Sequence, residues 1–234
     1  QAGTLYPFYG LAFTDSMNGL AVGGETAPGG GIMRRTTDGG ATWFSQASGS
    51  SQRLTGVSFP NRILGFVAGH NGTILKTTNG GLTWFPQVSG TSEHLENISF
   101  ADTNNGIAVG WGGIILSTTN GGASWAVLTQ SVSSTALQAV SFADDNNGLA
   151  VGGLDPPYYE SVILRSTNGG MAWTSQSNPT IWMLNDVHFI DTSTAMAVGN
   201  FGPILRSTNG GATWETQTSG TAQNLNGVFF TNRQ

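Results

Sequence analysis

Ten side chains carry the chemistry that a binding or catalytic site would need: Trp111, Tyr158, Tyr159, Trp182, Phe201, His70, His94, Glu25, Asp155 and Glu160. Aromatic faces stack on a sugar or an apolar side chain, while imidazoles and carboxylates orient a polar ligand by hydrogen bonding. The set suits a glycan or a protein partner. Glycoside hydrolysis would instead need two carboxylates ~5 to 10 Å apart. Glu25, Asp155, Glu160 and Asp186 are the acids available for it, and their spacing marks no pair, so no catalytic residue is assigned. Asp102-x-Asn104-x-Gly106 begins like a calcium loop but lacks the terminal bidentate glutamate. Neither a metal nor a cofactor is expected.

These residues stand out because the rest of the chain repeats. The octet Thr36-Thr37-Asp38-Gly39-Gly40-Ala41-Thr42-Trp43 recurs ending at Trp84, Trp125, Trp173 and Trp214, with spacings of 41, 41, 48 and 41 residues. Each unit reads as four short strands. In the second, Leu54–Phe59 is strand A, Gly65–Gly69 strand B, Thr73–Thr78 strand C, and strand D runs around Trp84. Four strands joined by hairpin turns in about 40 residues is the pattern of a propeller blade. The expectation is an all-β, single-domain β-propeller of five antiparallel blades, over residues 1–52, 53–93, 94–135, 136–182 and 183–223. A partial unit, 224–234, holds a sixth strand A at Leu225–Phe230, which leaves open whether further blades follow or a surplus strand pairs with another molecule.

With A as the inner strand, the octets and A–B turns share one face and the B–C and D–A loops the other. The second face is where the repeats disagree: His70, Trp111 and Asn200-Phe201 in B–C loops, insertions at Glu25–Pro28 and Leu154–Glu160, and Arg53, His94 and Trp182 in D–A loops. By contrast Asp15, Asp102, Asp144 and Asp191 recur at one A–B position and read as turn formers. Arg35, Lys76, Arg165 and Arg206 recur in strand C, where their stems are expected along neighbouring tryptophans.

Only 9% of residues are charged, so the surface must be Ser, Thr, Asn and Gln, a coat that suits a secreted or periplasmic protein, bacterial rather than eukaryotic; the lack of cysteine rules out disulfides and assigns no compartment. A net charge of −5 with eight Lys plus Arg leaves no basic stripe for nucleic acid. No apolar run reaches the ~18 residues of a membrane span.

The octet resembles the Asp-box, or BNR repeat, with Asp38 replaced by Asn79, Asn120, Asn168 and Asn209 in later copies. Together with Ile-Leu-Lys/Arg in strand C, the unit resembles the repeat of the photosystem II stability and assembly factor family. The resemblance implies a propeller whose octets, including Trp43, Trp84, Trp125, Trp173 and Trp214, are scaffold turns. It also implies that the four strand C cations are partner-binding candidates, since that family meets its partner through an arginine patch. The expected function is a non-catalytic binding or assembly scaffold recognising a protein or a glycan on the B–C and D–A face. A propeller glycoside hydrolase is the alternative, and a filament subunit linked by strand exchange a second one.

Overall fold

The computed structural model describes residues 6–25, 30–128, 134–154 and 157–230. The chain forms two compact units: Gln1–Ala108 with Thr118–Val127 is unit 1, and Val109–Ser117 with Leu128–Gln234 is unit 2.

Twenty strands build five four-stranded sheets, each a simple meander in chain order. The first holds β1 (Phe8–Phe13), β2 (Gly19–Gly24), β3 (Gly31–Thr36) and β4 (Phe44–Gln46). The second holds β5 (Leu54–Ser58), β6 (Gly65–Gly69), β7 (Thr73–Thr77) and β8 (Phe85–Gln87). Next come β9 (Leu95–Phe100), β10 (Gly106–Gly110), β11 (Ile115–Thr118) and β12 (Ala126–Val127), then β13 (Leu137–Phe142), β14 (Gly148–Leu154), β15 (Glu160–Ser166) and β16 (Thr174–Ser175). The fifth sheet is β17 (Leu184–Phe189), β18 (Ala195–Gly199), β19 (Ile204–Ser207) and β20 (Glu215–Gln217). Paired strands run antiparallel, and one 3-10 turn, Trp111–Gly113, is the only helical element among the described residues. Five such sheets are blades of the β-propeller class.

Strand B is the buried centre of each blade, and its small residues follow from that. β2, β6 and β10 are buried along their whole length. Each is opened by a glycine because the aromatic that ends strand A lies across it: a Cβ on Gly65 would stand 2.4 Å from the Phe59 ring. Blade faces then pack on one another within each unit. In unit 1, Leu20, Val22 and Met33 meet Leu54, Val67, Leu75 and Trp84. In unit 2, Leu149, Val151 and Ile163 cluster with Val187, Ala197, Leu205 and Trp214. Each such side chain contributes about 1.5–3 kcal/mol by leaving water.

The octets are hydrogen-bonded turns. Asp38 Oδ1 accepts the Thr42 N–H at 2.9 Å, and Asn79, Asn120, Asn168 and Asn209 accept the equivalent N–H at 3.0, 3.0, 2.9 and 2.9 Å. Aspartate and asparagine offer the same acceptor, so the exchange keeps the turn. Trp43, Trp84, Trp173 and Trp214 each donate their indole N–H to an octet glycine carbonyl. Strand D starts at the residue after the tryptophan in all five blades and runs for only two or three residues.

Segment 225–230 follows the strand A sequence without joining a ladder. One backbone bond, Leu225 N–H to the Gly199 carbonyl at 3.0 Å, and two side chains hold it: Asn185 Nδ2 donates to the Leu225 carbonyl at 3.0 Å, and the Val228 N–H donates to Asp186 Oδ2 at 2.8 Å.

Candidate functional site: two loop clusters

A recurring bulge sets up the loop ends. Strand A slips register against strand B between Phe8 and Gly10, Leu54 and Gly56, Leu137 and Ala139, and Leu184 and Asp186. The extra residue (Tyr9, Thr55, Gln138, Asn185) leaves the ladder and re-aims its side chain. Thr55 Oγ1 donates to the Leu95 carbonyl at 2.7 Å, and Asn185 makes the same link to Leu225. Beyond the bulge, the amide closing strand B ties to the preceding D–A loop: His70 N–H to the Arg53 carbonyl and Asn200 N–H to the Met183 carbonyl, both 2.9 Å.

In unit 1 this arrangement gathers His70, His94, Glu25 and Arg53. The imidazoles of His70 and His94 stack with centroids 4.0 Å apart and planes 7° apart. His70 is buried, with Nε2 3.9 Å from Glu96 Oε1. Arg53 pairs with Glu25 at 3.5 Å and lies 4.8 Å over the Tyr9 ring. Burial, then the neighbouring charges of His94 and Arg53, push the His70 imidazole down to about 4, so it is neutral at pH 7. Asn71 sits between the two histidines at φ +50, and its N–H donates to His94 Nδ1 at 3.1 Å.

Unit 2 brings together Tyr159, Trp182 and Phe201. The Tyr159 and Trp182 centroids are 5.4 Å apart at 69°, and those of Trp182 and Phe201 are 4.4 Å apart at 43°. Tyr159 and Phe201 are each 45% exposed, so the cluster opens to solvent. Both hold left-handed backbone, φ +45 and +64. That conformation costs about 1–3 kcal/mol for a bulky side chain and persists only where its surroundings enforce it. The enforcement is visible: Phe201 N–H donates to Asn224 Oδ1 at 3.1 Å, buried Asn200 accepts from Asn185 at 2.7 Å, and Trp182 N–H donates to Thr180 Oγ1 at 3.1 Å.

Trp111 is half-exposed on its 3-10 turn, Tyr158 is 75% exposed, and Glu160 opens β15 opposite Leu154. Asp155 lies outside the described residues, as does 26–29 of the first insertion. Among described residues no three His, Cys, Asp or Glu side chains group as metal ligands.

Lys76 and Arg165 do not lie over tryptophan. Lys76 Nζ donates to the Gly121 carbonyl at 2.6 Å, 5.7 Å from the Phe66 centroid, and Arg165 Nε donates to the Gly210 carbonyl at 2.8 Å. Each acceptor belongs to the octet of the following repeat, where a charge-assisted bond is stronger than a ring contact. Arg35 lines a recess with the octet glycine Gly80, and Arg206 is exposed.

The carboxylates sort by their partners. Asp15 and Asp191 accept two turn N–H groups each, and the Ser193 hydroxyl helps hold Asp191 at about 2. Asp186 is the opposite case: burial pushes it up to about 6, against the Val228 and Val187 N–H bonds that favour its charge. A raised carboxyl suits a general acid, but both its oxygens are turned to the chain's own backbone.

Sequence reasoning missed Glu96, Asn185, Tyr9 and Asn224 as site-shaping residues. Glu96 and Asn185 follow the leading leucine of strand A, a variable polar slot in an otherwise apolar run that could have been noticed.

Residues 84–222 match the sequence model of the family described as Photosynthesis system II assembly factor YCF48. Among solved structures, YCF48 from Cyanidioschyzon merolae is 20% identical over all of this chain and 92% of that one, TM-score 0.63. YCF48 bound to a D1 peptide is 20% identical over 92% of this chain and 82% of that one, TM-score 0.63. A GH74 enzyme from Niastella koreensis is 17% identical over 91% of this chain but 38% of its own length, TM-score 0.71. At these identities the likeness is one of fold. No curated protein matches the sequence.

Proposed function

Because the chain belongs to the Photosynthesis system II assembly factor YCF48 family, we propose that it is a non-catalytic scaffold that holds a protein partner on Tyr159, Trp182 and Phe201. One observation carries this reading: half-buried Trp182 is flanked by two exposed aromatics, Tyr159 and Phe201, both at left-handed backbone, and the loops of Trp182 and Phe201 are held by hydrogen bonds to their neighbours. Left-handed backbone kept at two half-exposed aromatics is strain of the kind that clusters at ligand sites, which supports a ligand here. Rigid tyrosine and tryptophan give large contact area at low entropic cost, the usual make-up of a binding hot spot. The relative bound to a D1 peptide supports a peptide as the kind of partner.

The test is to select binding peptides from a displayed library and measure them by calorimetry against the parent and Trp182→Ala. The reading requires the selected peptides to lose affinity for Trp182→Ala at unchanged thermal stability; peptides indifferent to that change refute it.

A glycan is the second reading, favoured by the neutral hydroxyl and amide groups beside the rings, among them Asn178, whose amide donates to Ser161 Oγ at 2.7 Å. A glycan array carrying neutral oligosaccharides separates the two. A secreted or periplasmic setting rests on the low charge alone, and fractionation of cells expressing the full-length protein tests it.

A further inference from the structure

Four octet tryptophans, Trp43, Trp84, Trp173 and Trp214, give their ring N–H to a glycine carbonyl of their own turn. The indole N–H of half-buried Trp182 meets no acceptor among the described residues, and its nitrogen is not enclosed as that of Trp125 is. The side-chain acceptors of its neighbourhood are engaged by the chain itself. Asn178 Oδ1 accepts the Thr180 N–H at 3.1 Å, Asn200 Oδ1 the Asn185 amide at 2.7 Å, and Asn224 Oδ1 the Phe201 N–H at 3.1 Å. Tyr159, Trp182 and Phe201 therefore offer apolar ring faces and a hydrogen-bond donor, beside amide oxygens that are already in use.

Charge is nearly absent from the same surface. Across residues 157–160, 176–183, 199–203 and 218–225, which carry or border the three rings, Glu160 is the single charged side chain. An anionic ligand finds no counter-charge there, and sugar hydroxyls, which donate as well as accept, meet engaged acceptors. A proline-containing segment has the complementary inventory. Proline brings an apolar ring and no N–H to satisfy, and the polyproline II helix makes no internal hydrogen bonds, so its carbonyls are available to a donor.

We infer that Tyr159, Trp182 and Phe201 are a docking platform for a proline-rich segment of another protein in the polyproline II conformation, its prolines packed on the ring faces and one of its carbonyls accepting the Trp182 indole N–H. This rests on the partner reading above and narrows it to one class of peptide. Three residues per turn bring every third side chain to one face, so the segment presents its prolines in a Pro-x-x-Pro spacing. Such a chain is ordered before it binds, which lowers the entropic cost of docking.

Two synthetic peptide libraries test it, one with Pro-x-x-Pro fixed at its centre and one with Ala-x-x-Ala there, each titrated against the isotope-labelled protein while the indole N–H signals, assigned by through-bond NMR, are followed. The proline members are expected to bind about tenfold or more tighter than their alanine counterparts and to displace the Trp182 indole signal. Trp182→Phe, which keeps a ring and removes the donor, is expected to weaken them about fivefold or more. Alanine members that bind as well as proline members overturn the proposal, as does binding that leaves the Trp182 indole signal of the parent unmoved, a result that stands even if Trp182→Phe fails to fold. Failure of both libraries to bind overturns it too, and so does displacement of that signal by cellohexaose but not by the proline members. The partner reading fails separately, when no peptide of any composition loses affinity for Trp182→Ala.

Discussion

After strand B of the second repeat the left-handed position is Asn71, its N–H given to His94; after strand B of the fifth it is Phe201, its N–H given to Asn224. The third repeat has Gly112 there, φ +65. One backbone geometry thus serves a loop closed by histidines, a loop that displays an aromatic, and a loop with no side chain at that position. Asparagine and glycine take that geometry at little cost; phenylalanine does not. The difference teaches that the repeat supplies position, while chemistry enters only through residues the repeat does not dictate.

If the aromatic loop is the binding one, truncating its centre produces the largest contrast. Trp182→Ala is expected to cost about 2–4 kcal/mol of partner binding, while Glu93→Ala, at the same slot of the third repeat, leaves binding unchanged in the same calorimetric titration. Equal losses would erase the distinction between the units.

Acid separates the units by sign. His70 has a depressed folded pKa, so the stability it contributes is present above its unfolded value of about 6.5 and is lost as pH falls towards about 4. Asp186 has a raised folded pKa, about 6 against 3.8, so its contribution is full below 3.8 and is lost as pH rises through about 6. Lowering pH from 7 to 4.5 is therefore expected to weaken amide protection around Gly72 and to strengthen it at Val228. Asp186→Asn should abolish the second trend, worth at most about 3 kcal/mol and less to the extent that water reaches the carboxyl. Parallel trends in both units would break the comparison.

Phe201→Gly copies the third repeat. Relief of backbone strain offsets the lost contact with Trp182, so thermal denaturation should report a change within about 1 kcal/mol, with partner binding nonetheless reduced. The smallest effect belongs to the octets: Asn79→Asp keeps the acceptor for Thr83 and should shift stability by less than about 0.5 kcal/mol, read by urea unfolding.

Much of the fold was legible because each signal is local and repeated. Octet glycines and the Asx residue mark a turn by themselves, and strand B of the second repeat, Gly65–Gly69, has in the structure the limits its small-residue run suggests. The short D strands were not legible, because each starts only after the tryptophan, a residue whose type alone favours a strand. The candidate residues were legible as exceptions to the repeat, but not their grouping. Tyr159 and Phe201 meet Trp182 across 23 and 19 residues of chain, a contact that no local pattern encodes. Trp111 and Tyr158, equally exceptional in sequence, stand exposed on the surface.

Sequence alone determined the repeating unit, its strand order, its turns and the family to which the chain belongs, since all of these rest on interactions within some 40 residues. It also placed the unrepeated residues in loops. Tertiary structure decided which of them meet, and with what charge. Strand bulges turn Asn185 and Tyr9 towards neighbouring loops, burial holds His70 neutral and raises Asp186, and octet carbonyls take up Lys76 and Arg165. Solvation and side-chain direction are properties of the packed blades, and a one-dimensional chain does not contain them until it folds.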